Sequence, residues 1–445
     1  MERLEVLIDI LLKSDKNALN EFLDNMHPID VAIILEELES EDLLRFYQLV
    51  DNQRMAEILE QADEKLQVRI LTLLDLGVII KLFSFMSNDD VADILGNLPF
   101  SIRKDLLKMM KKNDTAKLEE LLGYAEDSAG GIMTTEYIAL RGDLTISEAL
   151  KKVRQIGPKT EVIEIIFVLN DKRELAGTAD LRDILLTPED SQLYEIMNEN
   201  IIFVHPEVDQ EQVALLVSKY DLKAIPVVNQ KKGLIGIVTV DDIIDVIVEE
   251  QTEDMLRLGG VSEEEEVDST LVTSIKKRLP WLFINLATAF LASFTVGLFE
   301  DVISQVVALA AAMPIVAGMG GNAGTQSLSV VIRSIALGEL ELKKDWKLIF
   351  KEVSLGMING AATGALTGLI LYMKYGNLYL GLIIFIAMIG NLVIAGFFGF
   401  LIPLVLKAFG IDPALASAIF LTTATDVFGF FLFLGLAKVF LNLLI

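Results

Sequence analysis

The sequence predicts a multidomain protein: an all-α superhelical N-terminal module, an α+β module built from two copies of one unit, a connecting helix, and a five-helix α transmembrane domain. Three observations predict it. Charge is segregated: 52% of the 445 residues are hydrophobic while the net charge is −26, and no single globular core accommodates both. From Trp281 onward eight acids (Glu300, Asp301, Glu339, Glu341, Asp345, Glu352, Asp412, Asp426) meet eight bases (Arg333, Lys343, Lys344, Lys347, Lys351, Lys374, Lys407, Lys438), so the whole negative excess lies in the first 280 residues. The apolar period changes from helical to alternating near residue 130. Five apolar stretches then follow residue 280, each long enough to span at roughly 20 residues per crossing. A soluble acidic module joined to a membrane module excludes a soluble enzyme, a secreted protein and a plain nucleic-acid binder.

Residues 1–128 read as an acidic helical domain, short amphipathic runs separated by breakers such as His27-Pro28, Asp51-Asn52 and Leu98-Pro99. Asp30-Val31-Ala32-Ile33-Ile34-Leu35 returns sixty positions later as Asp90-Val91-Ala92-Asp93-Ile94-Leu95. An acid opens each helix and Leu38 or Leu98 closes the turn, which predicts stacked helical hairpins in a small solenoid.

Residues 129–190 and 191–250 repeat one pattern. Ile132-Met133-Thr134-Thr135 through Asp183-Ile184 parallels Ile196-Met197-Asn198 through Asp242-Ile243, with β-rich runs at Val162–Leu169 and Ile225–Val228. The pair resembles tandem CBS domains. That resemblance implies a nucleotide site at the second tail, Gly236-Ile237-Val238-Thr239-Val240-Asp241-Asp242, where Thr239 and Asp242 would meet the ribose of an adenine nucleotide such as ATP. The first tail departs from the pattern, with Asp180 at the hydroxyl position.

Asp241, Asp242, Asp245, Glu249, Glu250, Glu253 and Asp254 load the next helix with acid, and four of them (Asp242, Asp245, Glu249, Glu253) share one stripe. Residues 251–279 form an acidic linker and a plug-like connecting helix, placed at about 263–279. Glu263 to Glu266 and Asp268 precede Lys276-Lys277-Arg278 and Pro280-Trp281, a basic cluster and an aromatic that anchor a cytoplasmic membrane edge. The spans of the domain at 280–445 fall at 281–299, about 302–332, about 353–373, 378–406 and about 414–442. Positive loop residues set the N-terminus inside and the C-terminus outside the cell (plasma) membrane. The first residues, with Glu2, Glu5 and Asp9, lack the form of a secretory signal.

The chemistry sits in two spans. Met313-Pro314 and Gly318–Gln326 concentrate breakers and amides at membrane depth, which predicts an irregular, non-helical stretch beside a water-filled path. Thr422-Thr423-Ala424-Thr425-Asp426 sets a carboxylate among hydroxyls near the bilayer centre, where it costs about 2.5–3.5 kcal/mol and needs a partner, a cavity or a cation. Asn322, Thr422, Thr425 and Asp426 are oxygen donors without thiolate neighbours, as the chain has no Cys and two His. A hard cation fits, and Mg2+, which keeps its water, fits best.

The whole order of modules, with Pro314 followed by Gly320-Gly321-Asn322-Ala323-Gly324-Thr325-Gln326 and Asp412-Pro413-Ala414 followed by Thr422–Asp426, resembles the MgtE family of magnesium channels and transporters. The resemblance implies a homodimer in membrane lipid, with a pore between subunits and no enzymatic activity. Mg2+ is then both substrate and regulator. Asp426 would hold the ion, and Asp89, Asp90, Asp93, Asp209, Glu211, Asp221 and the acids at 242–254 would sense cytoplasmic Mg2+ between the N and CBS domains. An ion-coupled secondary transporter of divalent cations is the alternative. Gly356, Gly360, Gly364 and Gly368, four residues apart, predict close packing of the third span.

Overall fold

The computed structural model describes residues 2–160, 162–261, 265, 267, 269–340, 345–414 and 417–445. Of the expected acidic run, Glu263, Glu264, Glu266 and Asp268 lie outside the described residues, as do Lys343 and Lys344 of the basic loop. The chain divides into two compact units, Met1–Ile247 and Val248–Ile445.

The first unit begins with ten helices among the described residues, from α1 (Glu2–Lys13) to α10 (Lys112–Leu121). From α3 onward each packs on the helix two places along: α3 (Pro28–Glu36) on α5 (Asn52–Glu60), α5 on α7 (Leu76–Phe83), and α6 (Glu64–Leu73) on α8 (Asn88–Asn97). That alternation makes the solenoid the internal echo predicts. Val31, Ala32 and Leu35 of α3 and Val91, Ala92 and Leu95 of α8 are the buried faces of equivalent helices, with Leu38 and Leu98 buried behind them.

The α+β module follows. Strand β1 (Ala139–Arg141) pairs parallel with β2 (Ile165–Leu169), which pairs antiparallel with β3 (Leu175–Asp180). In the second copy β4 (Ala224–Val228) pairs antiparallel with β5 (Leu234–Thr239). Helices α11 (Ile146–Ile156) and α12 (Leu181–Leu186) belong to the first copy; α13 (Leu193–Ile196) opens the second but packs on the core of the first, and α14 (Gln210–Tyr220) belongs to the second. The copies exchange their opening segments: Thr134 and Ile237 trade backbone hydrogen bonds, as do Asn198 and Thr178. The two modules therefore fold as a pair, since each sheet borrows its edge from the other copy.

Helix α15 (Val240–Leu258) carries the chain from the first unit into the second. The second unit contains five long helices: α16 (Leu271–Gly297), α18 (Ala308–Ala336), α19 (Leu348–Tyr375), α20 (Leu378–Ala408) and α21 (Ser417–Val439), with α17 (Glu300–Gln305) and α22 (Leu441–Leu444) as short connectors. Four of them, α16, α19, α20 and α21, are long and apolar enough to cross a membrane by length and composition. Helix α16 corrects the separate connecting helix expected at 263–279, because it starts at Leu271 and runs through Pro280 without interruption. Its basic end is held to the acidic linker, where Arg278 Nε donates to Glu265 at 2.7 Å.

A second expectation is overturned. The stretch from Pro314 to Gln326 is not irregular: α18 is helical over all 29 residues. Proline removes one helical donor, and each glycine costs about 1 kcal/mol relative to alanine, but packing repays both. Ala312, Val316, Gly320, Gly324 and Leu328 form one buried stripe that lies on α20 and α21.

The glycine stripe of α19 does what the spacing predicts. A Cβ at Gly356 would stand 2.3 Å from the carbonyl oxygen of Leu392, and one at Gly360 2.6 Å from Cα of Ile389, so α19 and α20 meet backbone to backbone. We expect Gly360→Leu to lower the thermal unfolding midpoint in detergent by roughly 5 °C or more and to broaden the protein's elution profile. Ala362→Leu on the exposed side of the same helix should do neither.

Candidate functional sites in the two units

The first site forms where α8 meets the paired β module. Ser87 caps α8, its Oγ donating to Asp90 Oδ2 at 2.6 Å. The cap leaves Asp89, Asp90 and Asp93 on the first turns of α8, and Asn88 reaches across to Glu136 at 2.9 Å. Asp242, in the first turn of α15, accepts from Thr239 Oγ1 at 2.5 Å. Glu60, at the end of α5, completes the acidic patch with Glu126 and Glu136.

Among the described residues the leading charges that act on Glu60, Asp89, Asp93 and Asp242 are carboxylates, and the carboxyls respond accordingly. Burial, with Asp90 beside it, pushes Asp89 up to about 7. Burial and the charges of Asp90, Glu57, Asp89 and Glu136 push Glu60 up to about 7. Asp90 and Asp242 are raised mainly by burial and held back by Ser87 and Thr239. Asp93 is raised by burial and by Asp89, Asp90, Asp242 and Glu126, but its outer edge meets water, which screens part of that effect. The Oδ1 atom of Asp89 is buried without a hydrogen-bond partner. Among the described residues no three His, Cys, Asp or Glu side chains stand close enough to chelate an ion directly. The donors are anionic or neutral oxygens at a looser spacing, the set that suits a hard cation retaining water.

The sequence-predicted sensor acids thus separate. Asp89, Asp90, Asp93 and Asp242 come together; Asp209 instead caps α14, accepting from the backbone of Glu211 at 2.9 Å. Asp221 closes α14 with φ of 50° and lines a cavity of about 270 Å³ with Thr178, Asp180, Asn198 and Lys223. Thr239 and Asp242, the expected nucleotide contacts, do not line that cavity. Thr239 is buried and its hydroxyl is committed to Asp242, so the open tail is the first one, where Asp180 stands.

Asp245 and Glu249 are exposed on α15. Glu253 pairs with Arg257, which also pairs with Asp412 of the loop before α21. Asp254 is pushed up to about 6 by burial and by Asp412 and Glu250, with Arg257 acting against them. The expected uniform stripe is therefore broken by a base four residues beyond Glu253. Leu258, next along, packs on Leu328, Ile332, Ala414 and Leu421.

The second site is in the spans. Helix α21 turns Leu421, Thr425, Gly429 and Phe433 into the core. Asp426, one step off that stripe, is half-buried, and no hydrogen bond or ion pair reaches its carboxylate. Thr422 is half-buried, its hydroxyl donating to the carbonyl of Ala418 at 3.0 Å. Thr425 departs from the expected set: it is fully buried and donates to the carbonyl of Thr422 at 3.0 Å. On α18 Asn322 lies opposite the buried stripe and is exposed. Another carboxylate, Glu352 near the start of α19, is buried and accepts from Ser327 Oγ at 2.9 Å.

Sequence reasoning missed Glu60, Glu126 and Glu136, which join the acidic patch from α5 and from the segment between α10 and β1. It also missed the packing of Asn391, although a lone amide within the 31 residues of α20 was a visible signal.

Comparison with known proteins agrees with this layout. The MgtE intracellular N domain matches residues 26–127, CBS domains match 129–189 and 193–249, and the MgtE divalent cation transporter domain matches 313–436. The magnesium transporter MgtE of Thermus thermophilus is 34% identical, with 99% of each chain covered. That of Bacillus subtilis is 31% identical over 99% of this chain and 98% of its own. The cytosolic domain of the Mg2+ channel MgtE, solved in complex with ATP, superposes with a TM-score of 0.52 at 34% identity, covering 55% of this chain and 99% of that one. The soluble part of a magnesium transporter gives 0.52 at 28% identity, covering 56% and 98%. An acidic helical domain, a CBS pair and a multi-pass membrane domain in this order, matched along nearly the whole length by transporters, place the chain in the MgtE family of magnesium transporters.

Proposed function

We propose that this protein is a magnesium-selective channel for Mg2+ uptake, closed by cytoplasmic Mg2+ bound between its N-terminal and CBS acids. The observation that carries the pore is Asp426, a carboxylate in a membrane span with no protein partner. A hydrated divalent cation meets that need, with Thr422 and Asn322 offering neutral oxygens to its water shell. Asn322 faces away from the core of its own chain, which suits a pore closed by a second copy in a homodimer embedded in lipid. Thr425 supports the wall from behind.

The sensor follows from the patch around Asp89. Its acids repel one another, and Mg2+ relieves that repulsion where no base does. Asp242 opens α15 and Arg257 ends it, so movement of the helix in response to the patch would be felt at Asp412, in the loop that leads into the Asp426 helix. The positive loops put the N-terminus in the cytoplasm and the C-terminus outside. The cavity at Asp180 and Asp221 would take an adenine nucleotide, with Lys223 available to its phosphates; the relative solved with ATP supports nucleotide binding by this module.

One observation favours a coupled carrier as the second reading: Glu352, a buried carboxylate near the start of α19 that proton coupling could use. Single-channel recording in a Mg2+ gradient separates the two, since resolved unitary currents require a channel.

Two outcomes test the sites. Asp426→Asn and Asp426→Ala should abolish Mg2+ uptake while membrane insertion is retained, because removing an unpaired carboxylate eases insertion; substantial uptake by inserted Asp426→Ala protein would sink the pore assignment. The second concerns pH. Glu60 and Asp89 hold protons in the folded, metal-free state up to about pH 7, whereas unfolded carboxyls release them near 4. The folded state then binds more protons across that window, so stability falls as pH rises from about 4 to about 7 and stays low above it. In chelator, the N-terminal half should be cut by protease faster at pH 8 than at pH 6. Added Mg2+ should remove the difference, and its half-protective concentration should rise as pH falls. Protection that is independent of pH and of Mg2+ would show the patch to be a plain solvated surface.

A further inference from the structure

Asn391 lies near the middle of α20, fully buried against α18 and α21. Its Nδ2 donates to the carbonyl of Val316 in α18 at 2.7 Å. The amide orientation is forced, because that carbonyl can only accept. The Oδ1 atom is left buried with no partner. Two glycines make room for the group. A Cβ at Gly320 of α18 would stand 2.3 Å from Nδ2, and a Cβ at Gly429 of α21 would stand 2.4 Å from Oδ1.

An orphaned amide oxygen in a membrane core is costly, and an apolar side chain of the same size would avoid the cost. Stability therefore does not explain why the amide is there. Its neighbours offer a reason: Gly320 is two residues before Asn322, and Gly429 is three residues after Asp426. The carboxamide is bonded to the helix of one permeation residue and pressed, without a bond, against the helix of the other.

We propose that Asn391 is a positioning residue for transport: it fixes α18 to α20 and is the surface on which α21 bears, and so sets the depth and rotation of Asp426 relative to Asn322. This rests on the reading of Asp426 as the ion site. A group that only filled space would leave ion selectivity and affinity unchanged in every molecule that folds. A positioning group would change them, because a hydrated divalent cation reads oxygen placement to within a fraction of an ångström.

The test compares Asn391→Leu, Gly429→Ala, the double variant Asn391→Ala with Gly429→Ala, and Asp426→Asn, all reconstituted in liposomes at equal amounts of folded protein. Mg2+ uptake is measured for maximal rate and half-saturating concentration, with Ca2+ as competitor. Asn391→Leu should lower the maximal rate at least tenfold or shift the Mg2+ to Ca2+ preference at least tenfold. Gly429→Ala should impair uptake by pushing α21 off the amide, and shortening Asn391 in the double variant should recover part of it. If Asn391→Leu does not fold, the Gly429→Ala pair decides by the same criterion. Unchanged rate, affinity and preference per folded molecule, or a double variant as impaired as Gly429→Ala alone, overturns the positioning role. Normal uptake by Asp426→Asn would instead remove the pore reading beneath it; loss in Asp426→Asn with normal Asn391→Leu removes this inference alone.

Discussion

A carboxylate taken out of water must be protonated, paired with a base or matched by a cation, and this requirement governs both halves of the chain. In the soluble half the acids around α8 have one another and a few hydroxyls for company, so burial holds their protons to higher pH. In the membrane half Asp426 has no hydrogen-bond or ion-pair partner among the described residues. Elsewhere the chain uses the other solutions: Glu253 and Asp412 share Arg257, Glu265 takes Arg278, and Glu352 takes a serine hydroxyl. The Asp89 patch and Asp426 are the two places, among the described residues, where neither a base nor enough donors are seen to arrive.

The membrane half can hold such a group because the surrounding helices are fixed by close contact rather than by hydrophobic drive, which lipid does not supply. Glycines along α19 bring it onto the backbone of α20, and those of α18 admit Leu421 and the Asn391 amide. The same residues that look like helix breakers in isolation are therefore what lets α18 stay a helix: they exchange about 1 kcal/mol of propensity apiece for contact with two neighbours.

Much of this was legible in the sequence, and for physical reasons. Apolar stretches of bilayer length, the four-residue glycine period and the Asp30 and Asp90 echo are local patterns, and each corresponds to an element in the structure. What escaped depends on contacts between distant segments. Glu60 on α5 and Glu126 and Glu136 from the segment between α10 and β1 reach the Asp89 patch from separate parts of the chain, and Asp209 spends an oxygen on capping α14. Thr425 and Asp426 are adjacent in sequence, yet 100° of helical rotation buries one and leaves the other half-exposed.

Helix α15 shows why an acid count is a poor guide to electrostatics. Its acids from Asp242 to Glu253 recur at helical spacing and read as one repelling stripe, but they occupy different surroundings. Asp242 is drawn into the patch beside Asp90, Asp245 and Glu249 stand in water, and Glu253 lies against Arg257. Repulsion in water is screened within about 10 Å at ordinary salt. It is least screened in the partly buried patch, and where Arg257 intervenes it becomes attraction. The helix thus crowds acids at its first turn and is clamped by a protein cation at its last, and Asp412 is the residue that shares the clamp. The same count of acids therefore produces repulsion at one end of the helix and attraction at the other.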